Sequence, residues 1–113
     1  MANANLANAI LANANLTNAI LTNANLYDAN LTNANLSYTN LTGGAMLFGA
    51  NLTNANLSYA NLSGAFLNDA TLNNANLTGV ALNFFSVVGA TGCSTVTPTG
   101  ALNGYINGNG CYN

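Results

Sequence analysis

Few side chains in this sequence could take part in covalent or proton-transfer chemistry. Asp28 and Asp69 carry its only side-chain charges, and Lys, Arg, His, Glu and Trp are absent. General acid–base catalysis draws on His, Glu, Lys or paired Asp, and these two Asp stand far apart in the chain. A zinc site built on Cys93 and Cys111 would lack further strong ligands. Without Lys or Arg to neutralise phosphates, nucleic acid binding is excluded as well. No catalytic, cofactor or metal site is expected.

Two chemistries remain. Cys93 and Cys111 lie in a Gly-rich stretch, with no Cys elsewhere, which favours a disulfide and an oxidising compartment. Two free thiols, or a bridge between neighbouring subunits, are the alternatives. By chain entropy, a loop of this size contributes about 3 kcal/mol. Eight Asn-Leu-Thr/Ser triplets match the N-glycosylation motif, at Asn15, Asn30, Asn35, Asn40, Asn51, Asn56, Asn61 and Asn76. They are candidates in a secreted protein, although a repeat generates such triplets automatically.

The elements that position these residues are set by a period. Leu recurs every five residues at Leu6, Leu11, Leu16, Leu21, Leu26, Leu31, Leu36 and Leu41. After one extra residue it resumes at Leu47, Leu52, Leu57, Leu62, Leu67, Leu72, Leu77 and Leu82. Ala sits two places before each Leu, except at Thr39 and Val80. A period of five fits neither a 3.6-residue helix nor a long strand. No apolar run is long enough to span a membrane, because Asn interrupts every one.

The unit Ala-Asn-Leu-(Thr/Ser)-Asn resembles the pentapeptide-repeat family motif, Ala-(Asp/Asn)-Leu-x-x, across residues 4–84. The resemblance implies an all-β fold, a right-handed quadrilateral β-solenoid in which each unit forms one side. Leu and Ala would then point inwards and the other three residues outwards. Coils spaced by roughly 4.8 Å would stack the sixteen Leu into a core, one column being Leu6, Leu26, Leu47 and Leu67. Each fully buried Leu contributes roughly 1.5–3 kcal/mol of transfer free energy.

The expected organisation is a solenoid over 1–84, of about four to five coils, with a bulge at 42–44. Residues 85–113 would form a degenerate fifth coil, with Val87 and Leu102 inward, and an irregular Gly-rich C-terminal tail containing the Cys. Gly43 and Gly44 suit the backbone that a bulge requires.

Aligning the coils turns the surface into columns. Asn15, Asn35, Asn56 and Asn76 form one, and Asn13, Asn33, Asn54 and Asn74 another; both read as amide ladders along the axis. Tyr38 and Tyr59 fall in register and are expected to stack. Met46, Phe48 and Phe66 lie outward with Tyr27 one coil before, as a contact surface or as the seat of the tail. Ile10 and Ile20 add outward apolar side chains in the first coil.

Half the residues are hydrophobic and 2% are charged, so polar amides or other copies of the chain must cover the surface. Repeat proteins usually carry polar caps, whereas this repeat begins almost at Met1, without the basic start and apolar run of a secretory signal. The leading expectation is a structural protein that assembles head to tail into an extracellular or cell-surface filament, its partner being itself. An ice-binding solenoid, with the ice surface as partner, is the alternative; a protein-binding repeat module is a further one. Some relatives in the resembling family mimic DNA through acidic surfaces, which two Asp cannot reproduce.

Overall fold

The chain turns every five residues because a tight turn follows each central Leu. The N–H three places on donates back to the Leu carbonyl, as from Ala29 to Leu26 (3.0 Å) and from Ala55 to Leu52 (2.9 Å). The third residue of each turn has a left-handed backbone, with φ of 60° at Asn33 and Asn54 and 66° at Gly49. That is the signature of a type II turn. Asn, Asp and Gly tolerate it best, which is why they recur at the fifth position of the unit. The computed structural model describes residues 1–80 and 89–92.

Four sides close one coil, and each side pairs in parallel with its counterpart one coil on. The first face is joined through Asn5, Asn25, Met46 and Phe66; the second through Ile10, Asn30, Asn51, Thr71 and Thr91. The third runs through Asn15, Asn35, Asn56 and Asn76, and the fourth through Ile20, Asn40 and Asn61. Each face is thus a ladder of single bridges rather than a sheet of long strands.

One unit shows how the backbone is satisfied. Asn25 N–H donates back to Ala4 O (2.9 Å), while Leu26 and Asp28 N–H donate forward to Met46 O (2.7 Å) and Phe48 O (2.9 Å). Ala29 N–H closes the turn. Only Tyr27 N–H is left, and Asn25 Oδ1 accepts it at 3.0 Å. All five donors of the unit are paired, as a chain folded this tightly requires.

The core is the predicted stack. Leu21, Leu26, Leu31, Leu36, Leu41, Leu47, Leu52, Leu57, Leu62, Leu67, Leu72 and Leu77 are fully buried, with Ala24 through Ala75 filling the corners beside them. Leu6, Leu11 and Leu16 are only partly buried against this core. Thr39, which replaces a corner Ala, is buried and donates its hydroxyl to Leu36 O at 2.8 Å, so the substitution leaves no orphaned polar group. Leu82, Val87 and Leu102 lie outside the described residues, as do Cys93 and Cys111.

The extra residue is absorbed where expected, at Gly43 (φ 74°) and Gly44 (φ 90°). Beyond it the twenty-residue register continues to Thr91, which bridges Thr71 and accepts from Leu72 N–H at 2.7 Å.

A first prediction follows from the turn column of the first face, where Gly49 (φ 66°) succeeds Asp28. A Cβ at Gly49 would meet Asp28 Oδ1, the far end of a mobile side chain. On the second face, Asn33, Asn54 and Asn74 follow one another at this position, so a side chain there is sterically admissible. Gly49→Asn should therefore change stability by about 0.5 kcal/mol or less. Gly49→Val forces a β-branched residue to a left-handed φ and should cost about 1–2 kcal/mol. Urea midpoints of the two variants separate backbone strain from crowding.

Candidate assembly interface

The asparagines preceding Leu do local work. In ten of ten such units among the described residues, from Asn5 to Asn76, Oδ1 accepts the N–H two residues on. Where Thr or Ser follows Leu, its hydroxyl can reach the same oxygen, as from Thr17 to Asn15 (2.6 Å) and from Ser37 to Asn35 (2.7 Å). The Asn alone makes the turn, as at Asn5 and Asn25, and the hydroxyl adds a second bond to Asn15, Asn30, Asn35, Asn40 and Asn51, five of the eight sequon matches. The second Asn column, Asn13 to Asn74, consists of left-handed turn residues.

Against that background, four units stand out. Ile10, Ile20, Met46 and Phe66 occupy the position of the capping Asn and carry no comparable acceptor. They forgo the turn's hydrogen bond and expose apolar surface instead, Ile10 by 84% and Ile20 by 59%. Met46 and Phe66 are exposed too, while Phe48 is half-buried. Phe48 stacks on Phe66 (centroids 5.5 Å, 12° between planes) and lies tilted against Tyr27 at 6.4 Å. The structure thus gathers Tyr27, Met46, Phe48 and Phe66 on the first face, and places Ile10 and Ile20 on two other faces of the first coil.

The leading edge of that coil pairs with no backbone acceptor among the described residues. Its counterparts in the second coil donate backward, Asn25 to Ala4, Asn30 to Ala9, Asn35 to Ala14 and Asn40 to Ala19. The equivalent N–H groups of Asn5, Ile10, Asn15 and Ile20 have no backbone acceptor among the described residues. Behind them lies the partly uncovered layer of Leu6, Leu11 and Leu16. Among the described residues, no His, Cys, Asp or Glu cluster could hold a metal, and no helix is long and apolar enough to cross a membrane.

These features define a four-sided β-solenoid with exposed apolar side chains at several outward positions. Residues 1–37 and 47–83 match the family described as pentapeptide repeats. The chain belongs to the pentapeptide-repeat family, whose members form right-handed quadrilateral β-helices and are in general structural or binding modules.

Among solved structures it is similar to Rfr23, a pentapeptide repeat protein from the cyanobacterium Cyanothece 51142. The two are 44% identical over 74% of this chain and 63% of the other, with a TM-score of 0.56. QnrB1, a plasmid-mediated fluoroquinolone resistance protein, is 22% identical over 80% of this chain and 46% of the other, with a TM-score of 0.64, and shares the fold. The chain thus spans less than two thirds of either protein's length. No curated protein matches it significantly.

Proposed function

We propose that this chain is a non-enzymatic structural protein that assembles head to tail by stacking coil on coil, outside the cell or on its surface. The observation that carries this reading is the first coil. Among the described residues its Leu layer is partly uncovered, the N–H groups of Asn5, Ile10, Asn15 and Ile20 have no backbone acceptor, and its rim bears the exposed side chains of Ile10 and Ile20. A coil with the same five-residue register would complete both the hydrogen bonds and the apolar stack. Such an end-to-end contact is heterologous and propagates into a fibre wherever the rotation does not close. The near-absence of charge favours it, because stacked copies would otherwise align like charges along the axis.

The joint places a solenoid of four to five coils and its tail end to end, with the aromatic face available for lateral contact. A Cys93–Cys111 disulfide would lock the tail or the joint. The sequons become acceptors if the chain is secreted.

Negative-stain electron microscopy and sedimentation of the purified protein test the reading. Filaments that lengthen with concentration are expected. The second reading, ice binding, draws on hydroxyls held rigidly by Asn at the surface, as at Thr17 and Thr53. Monomers at high concentration that facet growing ice crystals would replace the filament with that reading.

A further inference from the structure

The left-handed turn position holds an anomaly. Twelve non-Gly residues adopt it among the described residues, and ten of them are Asn or Asp. The other two are Tyr38 and Tyr59, both with φ 59° and successive on the same column. A bulky aromatic residue at such a φ is an outlier, so the turn itself does not explain either ring. The rings are stacked, 5.2 Å between centroids and 13° between planes. Both are more than half exposed. A Cβ at Gly79 would collide with the Tyr59 ring, so the next residue of the column is one that leaves this ring its room.

From this geometry we infer that Tyr38 and Tyr59 form an oxidative coupling site, which a one-electron oxidant of the peroxidase class closes into a dityrosine staple between adjacent coils. Each phenol yields one electron and its phenolic proton, giving two phenoxyl radicals. The radicals join through ring carbons ortho to the oxygens. Those carbons then release their hydrogens as protons while the oxygens are reprotonated, restoring both aromatic rings. The net change is the loss of two hydrogen atoms from the pair, and one hydrogen peroxide is reduced to two waters. Exposure gives the oxidant access and lets the rings tilt into bonding contact, while the stack keeps the second radical beside the first. The product ties the coil of Leu36 to the coil of Leu57 by a covalent bond, where otherwise the ladder and the core hold them.

Tyr27 is the internal control. It is half exposed as well, but its ring neighbour is Phe48, which has no phenolic hydrogen to lose.

The test treats dilute protein with peroxidase and hydrogen peroxide. Blue dityrosine fluorescence is read first, then the mass of the monomer. Met46 separates the two tyrosines in sequence, so cyanogen bromide cuts between them once any methionine sulfoxide has been reduced. In the wild type and in Tyr27→Phe, the two halves should stay joined on a denaturing gel. In Tyr38→Phe and in Tyr59→Phe, each retaining the stack and an unchanged circular dichroism spectrum, they should separate. Halves that separate in the wild type, or stay joined in Tyr38→Phe, overturn the site. So does a product that forms only between molecules and vanishes on dilution.

Discussion

Leu57→Lys is expected to abolish folding, whereas Asn56→Ala one residue away is expected to be tolerated. Leu57 is fully buried in the third-face column between Leu36 and Leu77. A Lys there places an ammonium among aliphatic side chains, and the chain's only carboxylate side chains, Asp28 and Asp69, sit at exposed turn positions of another face. An uncompensated buried charge costs about 3–5 kcal/mol. The lost Leu contacts add to that, against a total stability of roughly 5–15 kcal/mol for a domain.

Solenoid architecture raises the cost, because coils are stabilised by their nearest neighbours and a failed middle coil divides the stack. Asn56→Ala removes only the acceptor of Ser58 N–H, a 3.0 Å bond at a half-buried residue. Its expected cost is about 0.5–1.5 kcal/mol. Far-UV circular dichroism and urea titration read both. A Leu57→Lys protein with a wild-type midpoint would refute the inward stack.

The Leu period located the repeat and the extra residue at 42–44, whereas the four-sided solenoid and its columns came from the resemblance of the unit to the motif Ala-(Asp/Asn)-Leu-x-x. The stacking of Tyr38 on Tyr59 was legible from those columns: equal offsets in successive coils must meet. Legible too was the outward placement of Ile10, Ile20, Met46 and Phe66. The role of Asn was harder to read. A column of Asn looks like an axial ladder when only the twenty-residue register is considered. The observed side-chain bonds instead run within each unit, because the ladder leaves one N–H unserved in each and Asn25 or Asn35 is the nearest acceptor. The signal was present in the sequence. Asn two residues before Thr or Ser is an Asx-turn pattern, and Asn, Asp and Gly alternating at the fifth position mark a positive φ. What the period could not convey is which departures from it matter, and that emerged only when the missing acceptor at Ile10, Ile20, Met46 and Phe66 became visible.

Those departures set the second large effect. Replacing Asn5 and Ile10 by Lys is expected to convert assembling protein into folded monomers. Both substitutions are benign within one subunit. Ile10 is 84% exposed, so a Lys there buries nothing, and Asn5 contributes a single exposed hydrogen bond of 3.2 Å to Ala7 N–H. At the joint the consequence reverses. The N–H groups of residues 5 and 10 are the ones a preceding coil would have to meet, and two ammonium groups at that edge must be desolvated with no carboxylate opposite them. Lys at a strand edge is the device by which β-proteins commonly prevent such pairing. Ile10→Ser separates the two contributions, since it removes the apolar contact without adding charge. If the block is electrostatic, about 1 M salt, where screening acts within about 3 Å, should partly restore assembly of the Lys variant and leave Ile10→Ser unchanged. Sedimentation velocity gives the assembly state, and circular dichroism confirms the fold of each variant. Fibres of unaltered length from the doubly substituted protein would remove the first coil from the joint and, with it, the head-to-tail assembly.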